Sequence, residues 1–361
     1  MQVLLSNNSN IETITHVPDG KNRMFKVKFL EHTIDSFEFS YREKEFKEFI
    51  FRSGFAISGG INCGHYGIVS ENKFYCDEFS KQPKKSKFES VFWGKNDFGD
   101  TFDLKTKDIH VNKFKTEVNL WFNISEYWHW FCEDLPIIKY LRTNNHPIIT
   151  NKLQTWQKQS LEFFPDIKQR IIEVETPTII NATAYHTFTY PAVSRRGKTN
   201  NWVSEFLKEN LIPSSQDKAT DLIYISRGDA VARVVENEVD IKNLLTKKGF
   251  KCYDNFSNYS VQEKINIFSK AKIVVAPTGS NLTHCHAMQS GTKVLDFNHE
   301  FELTEECGWN SIGTGVGVLW HTLPAQTGAT GPRSGKGLKQ KNNNLIVDIQ
   351  KLENALKYVL D

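Results

Sequence analysis

At 361 residues, 39% hydrophobic and 24% charged, the chain is long enough for two domains and has neither the apolar deficit nor the charge excess of a disordered chain. A net charge of +3 is too small to imply a nucleic-acid partner. The opening MQVLLSNNSNIETITHV lacks the cationic start and long apolar core of a signal peptide, and no stretch approaches ~20 apolar residues, so a soluble, cytoplasmic chain is expected. The six cysteines (Cys63, Cys76, Cys132, Cys252, Cys285, Cys307) form no CxxC pair, and reduced thiols are expected rather than zinc or redox chemistry.

In chain order, residues 1–115 carry short alternating runs such as Phe25-Lys26-Val27-Lys28-Phe29, which predict small antiparallel strands. Lys81–Lys87 (KQPKKSK) reads as a solvated basic connector, and Asn123-Ile124-Ser125 matches a glycosylation sequon with nothing else pointing to secretion. In Asn123–Arg142 (NISEYWHWFCEDLPIIKYLR), Ser125 is placed to cap a helix on which Glu126, His129 and Glu133 share a face, with Trp128, Cys132 and Leu135 on another. Pro136 lacks the N–H that the carbonyl of Cys132 needs, so the helix should kink or end there. A helix near 155–164, a strand near 178–184 and a Pro-containing linker at 211–216 follow.

The run Asp221–Phe297 alternates strands and helices. Apolar strands are predicted at 221–226, 251–254, 272–276 and 293–297, with Asn237 capping one helix and Ser260/Glu263 forming a capping box on the next. This is the pattern of a parallel sheet covered on both faces. Residues 322–344 read as a loop bearing Arg333, Lys336, Lys339 and Lys341, and a final helix spans 347–360. The resulting division is 1–210 (with 1–115 β-rich), 211–345, and a C-terminal helix at 346–361.

In such a sheet, ligands bind beyond the carboxyl ends of the strands. Arg227 and Gly228 fall there after the first strand, Thr278, Gly279, Ser280 and Asn281 after the third, and Asp296 after the fourth. The 278–281 turn opens directly into a short helix predicted at 282–289, so its backbone N–H groups suit a phosphate or diphosphate, with Arg227 and Arg233 as clamps. A packing glycine and a surface arginine are the plain alternatives. GxGxxG, GxxxxGK[ST] and Asp-x-Asp are all absent, so a diphosphate here would be neutralised by arginines and backbone amides without a metal.

These residues, taken together, resemble the family 61 glycosyltransferases. The resemblance rests on Ser226-Arg227, Arg233, Asn237-Glu238, Gln262-Glu263, the turn at Thr278-Gly279-Ser280, and Asp296, with His129-Trp130, Glu133 and Leu135-Pro136 upstream. Thr278 stands where the family has His, and Ser280 where it has a smaller residue; His284 and His286 lie just downstream. The resemblance implies an α/β, GT-B-like fold of two Rossmann-like domains facing a cleft; the irregular β-containing N-terminal region, residues 1–115, has no counterpart in it. It implies inverting, metal-independent transfer of a sugar from a nucleotide sugar to a glycan hydroxyl, with no cofactor. Arg227, Arg233, Asn237, Glu238, Thr278, Gly279, Ser280, Asn281 and Asp296 would hold the donor, Glu238 contacting ribose or base. Glu133 is the first choice of base and His129 the second. The expected setting is bacterial capsule or lipopolysaccharide synthesis at the inner face of the membrane, on a glycan or lipid-linked glycan acceptor. The alternative is a non-catalytic nucleotide-sugar or glycan-binding module.

Overall fold

The computed structural model describes residues 11–17, 22–33, 35–42, 46–52, 55–58, 66–70, 73–76, 92–93, 103–104, 110–122, 126–175, 178–189, 191, 199–212, 217–300, 308–329 and 343–361. The basic stretches at 81–87 and 333–341, the Ser125 cap and the sequon lie outside them. No helix among the described residues is long and apolar enough to cross a membrane.

Two compact units emerge: Met1–Gly20 with Lys44–Arg195, and Lys21–Glu43 with Arg196–Asp361. Their composition departs from the expected 1–210, 211–345 and 346–361 in three places. Helix Asn201–Leu211 packs with the second unit, its buried Val203, Phe206, Leu207 and Leu211 turned toward helix Gly308–Gly315 and the Ser280–Ala287 turn. Thr199 Oγ1 and Ser311 Oγ also meet at 3.0 Å there. Helix Ile349–Leu360 is integral rather than appended, because Leu352, Ala355, Leu356 and Val359 share one core with Leu295, Phe297 and Leu323. Finally, the hairpin Asn22–Phe29/Ser36–Arg42 joins the C-terminal sheet through Lys28↔His321 and Phe29↔Thr322. The predicted strand at Phe25–Phe29 therefore forms, but far along the chain from the sheet expected to hold it.

The second unit is an α/β layer structure. Its main sheet runs Lys251–Tyr253, Asp221–Ile225, Ala271–Pro277, Lys293–His299, Leu319–Thr327, Asn22–Phe29, Ser36–Arg42, parallel except for the last pair. Leu345–Ile346 adds antiparallel to the end of Leu319–Thr327. Within the C-terminal run, the five parallel strands stand in the order 2-1-3-4-5, the doubly wound arrangement whose switch point lies between strands one and three. The strands are apolar on both faces because helices cover both. Tyr224, Ile273, Val275, Leu295 and Phe297 meet Ile241, Leu245 and Leu356 on one side. Two expectations fail in this unit: the fourth strand continues to His299, and residues 319–327 form a strand where a loop from Thr322 was predicted.

The first unit carries two sheets. One runs Ile11–Val17, Phe46–Phe51, Tyr185–Phe188, Val118–Leu120, Ile148–Asn151, Ile171–Val174, antiparallel at its first two pairings and parallel thereafter. The other runs His110–Lys113, Thr178–Asn181, Phe55–Ser58, Tyr66–Ser70, Lys73–Cys76. Helical turns over 127–141 connect the parallel neighbours Val118–Leu120 and Ile148–Asn151, a βαβ crossover.

Candidate active site

At the switch point, strand Asp221–Ile225 delivers Ser226 and Arg227, and Ser226 Oγ accepts the Gly228 N–H at 3.0 Å. The Arg227 guanidinium is buried and donates through Nε and Nη2 to the Ala232 carbonyl at 3.4 and 3.0 Å. Its remaining nitrogen lies on Gly279: a Cβ built there would fall 1.7 Å from Arg227 Nη1. The glycine is needed for room and not for its dihedral, since the backbone is extended at that point with φ 160°. Sequence reading placed Arg227 and the 278–281 turn at neighbouring strand ends, and the structure brings them into contact.

Burial, and then the charge of Arg233, pull the Arg227 pKa down to about 9, with Asp229 acting the other way. It stays charged at neutral pH, in a setting where an anion would be strongly favoured. Arg233 itself has φ 57°, the left-handed region, which costs a bulky residue on the order of 1–3 kcal/mol. Such strain is characteristic of positions shaped for a ligand.

A third cation escaped the sequence reading. Lys264 lies on helix Val261–Ser269, only 5% exposed, with Nζ 5.5 Å from the Phe256 ring centroid. Burial lowers its pKa to about 8, opposed by Asp229, and its charge helps hold buried His284 well below the usual histidine range. The available signal was its place on the apolar stripe Val261, Lys264, Ile265, Phe268.

In the first unit, the 126–141 segment puts Glu126, His129 and Glu133 on one face as predicted. His129 Nδ1 is 2.6 Å from Glu133 Oε2, and Nε2 is 3.2 Å from Oε2 of exposed Glu126. Trp128 meets the imidazole edge to face at 5.0 Å. The kink or end expected at Pro136 takes the form of a change of helix type rather than a full stop. A π-turn at Trp130–Asp134, in which Leu135 N–H reaches the Trp130 carbonyl, passes the chain through the 3₁₀ turn Leu135–Ile137 into helix Ile138–Leu141. The wider turn absorbs the missing proline donor, and single π-turns of this kind recur at functional sites.

Residues 127–295 match the Glycosyltransferase 61 family model. The match supports a glycosyltransferase, and it takes in His129, Glu133, Arg227, Arg233, Lys264 and the Gly279 turn. No curated protein matches the chain.

The other residues expected to hold a donor take varied positions. Thr278 is buried, and its N–H donates to the Phe297 carbonyl at 2.9 Å. Ser280 and Asn281 open a 3₁₀ helix over Ser280–Ala287, two residues before the short helix predicted at 282–289. Asn237 does sit at a helix N-cap, but its side chain makes no cap bond. It clamps Val347 instead, donating to its carbonyl at 2.7 Å and accepting its N–H at 3.1 Å. Glu238 accepts from Tyr224 Oη at 2.8 Å and pairs with Lys242 at 2.9 Å, beneath the Gly228 turn.

Asp296 is the clearest correction. Because the strand runs on to His299, Asp296 is a mid-strand residue, buried, accepting from Thr322 Oγ1 at 2.5 Å and Trp320 Nε1 at 3.2 Å. Burial drives its carboxyl up to about 7 despite those donors. An acid whose folded pKa is raised loses stabilisation as pH rises, here between the unfolded value near 4 and about 7, a swing of roughly 4 kcal/mol. Urea unfolding at about pH 5 and about pH 8 is expected to show wild type losing stability across that window and Asp296→Asn losing much less. Equal pH slopes in the two proteins would show that Asp296 ionises as freely in the fold as outside it.

Proposed function

We propose that the chain is an inverting, metal-independent glycosyltransferase of GT-B type, moving a sugar from a nucleotide sugar to a hydroxyl of a glycan. The carrying observation is the contact of Arg227 with Gly279 at the switch point, inside the matched segment. The donor diphosphate lies on the 278–281 turn. Arg227, Arg233 and Lys264 take the charge that develops as the bond from the anomeric carbon to the phosphate oxygen breaks. The acceptor oxygen forms the new bond on the opposite face of the sugar, and its proton passes to the His129–Glu133 pair. Histidine oriented by a carboxylate is the familiar arrangement of a general base, so His129 Nε2 takes the proton and Glu133 fixes the ring. The acceptor is a glycan or lipid-linked glycan of a bacterial surface polysaccharide, capsule or lipopolysaccharide, reached from the cytoplasm by peripheral contact with the membrane.

A thermal-shift screen of UDP, GDP, CMP and their sugars tests the donor reading without knowledge of the acceptor. A nucleotide present at 100 times its dissociation constant is expected to add about 2.7 kcal/mol to folded stability. If none of the nucleotides stabilises the protein, the donor assignment is wrong.

A further inference from the structure

A second constellation lies in the first unit. Tyr185–Phe188, Val118–Leu120 and Ile148–Asn151 are adjacent parallel strands. Near the amino end of each is a ligand-type residue: His186 within the first strand, Glu117 just before the second, His146 just before the third. His186 Nε2 is 2.8 Å and His146 Nε2 3.3 Å from the same oxygen, Glu117 Oε2, and one ligand atom from each residue falls within 4.8 Å of the others. Among the described residues this is the group whose histidine and carboxylate atoms converge in that way. The His129–Glu133 pair, by contrast, follows the carboxyl end of Val118–Leu120, so the two groups belong to opposite ends of that strand.

A further observation concerns the other nitrogen of His186. Nδ1 lies 2.6 Å from Glu48 Oε1, a carboxylate only 3% exposed, whose other oxygen is 2.8 Å from His16 Nε2. A ligating histidine characteristically gives its second N–H to a carboxylate, which fixes the tautomer and aims the free lone pair at the ion. With the proton on Nδ1, the Nε2 lone pair of His186 faces Glu117 Oε2 at 2.8 Å, a pair of acceptors that either a second ring proton or a metal ion can bridge. A proton bridges one such pair. An ion takes Glu117, His146 and His186 together.

We propose that Glu117, His146 and His186 bind a divalent transition-metal ion of the zinc type, with buried Glu48 orienting His186. Two imidazoles and a carboxylate form a ligand set suited to zinc, and three protein ligands leave a position for water or a fourth group. Bound at about 2.1 Å, tetrahedral ligands stand roughly 3.4 Å apart, so the cluster needs to open by about 0.6 Å on its shortest edge, the 2.8 Å between His186 and Glu117. Glu117 and His146 are each about one-third exposed, which gives the ion a route in. The surrounding cations leave the ligand atoms free: Arg52 Nη1 lies 3.5 Å from the other Glu117 oxygen, and Arg170 donates to the His146 and Leu141 carbonyls.

The test uses tag-free, chelator-stripped full-length chain titrated with Co²⁺ under visible absorption, then with Zn²⁺ in competition. One equivalent of Co²⁺ is expected to bind with the intense band of a low-symmetry site, and Zn²⁺ to displace it. His146→Ala, at the more exposed ligand, is expected to weaken binding at least about tenfold, and Glu48→Gln, which keeps its volume, by about 10–100-fold. His129→Ala should bind cobalt as wild type does. Absence of a stoichiometric cobalt band, unchanged affinity in a folded His146→Ala protein, or loss of binding in His129→Ala would each overturn the assignment.

Discussion

Replacing Arg227 with alanine is expected to lower kcat for sugar transfer by about 10²–10³-fold, or about 2.7–4 kcal/mol of barrier, the usual cost of removing one preorganised donor to a developing anion. Arg227 is buried with two nitrogens on the Ala232 carbonyl and the third against Gly279, so its geometry is set before any ligand arrives. Arg227→Lys should recover little, since a single ammonium cannot hold that carbonyl and a phosphate oxygen at once. Gly279→Ala provides the complementary experiment from the other side of the contact. The new methyl carbon would need the space that Arg227 Nη1 fills at 1.7 Å, so the guanidinium must swing away although the extended backbone accepts alanine. Nucleotide affinity and kcat should fall together in Gly279→Ala while the unfolding midpoint without ligand stays close to wild type. Wild-type turnover in either alanine variant would remove Arg227 from the leaving-group site. A loss of folded stability that accounts for the whole loss of activity would reduce it to a packing residue.

The largest expected effect belongs to the other unit. His129→Ala should slow transfer by about 10²–10⁴-fold, the range that general-base catalysis supplies, with the Kd for nucleotide unchanged because the donor site lies on other elements. Glu133→Gln keeps an oxygen that can accept the Nδ1–H at the present 2.6 Å but removes the charge. A smaller loss is expected there if Glu133 orients the ring, and a loss equal to or greater than that of His129→Ala if the carboxylate itself takes the proton. Single-turnover measurements with saturating donor rank the two variants and decide between the roles. Full activity in both would move the base elsewhere.

Much of the second unit was readable in advance because parallel strands buried on both faces leave continuous apolar runs, as in DLIYI and KIVVA, and because the Ser260/Glu263 capping box is a local signal. The misreadings have local causes too. Asn298 and His299 look like loop residues but are almost fully buried and finish the fourth strand, which is what turned Asp296 from a strand-end ligand into an interior acid. Pro324 and the polar residues around it hid the strand Leu319–Thr327. Lys264 was overlooked since lysines on amphipathic helices usually point to water, and the helix's inward face shows only after packing is known. Glu48, Glu117, His146 and His186 are scattered over about 140 positions and share no motif, so only strand order could bring them together.

The early hairpin has a consequence for the order in which this protein can be made. Strand Asn22–Phe29 leaves the ribosome roughly three hundred residues before Leu319–Thr327, its sheet neighbour, to which it is joined by a short ladder and by the Leu30 N–H on the Thr322 carbonyl, with Lys28 bonded to Tyr358 of the C-terminal helix. The nascent chain therefore carries both strands of the hairpin through the synthesis of the intervening residues before their sheet neighbour exists. The C-terminal sheet closes only when the last strands emerge, and a piece cut to begin at Arg196 would present Leu319–Thr327 as a bare edge, open to the same edge of another copy.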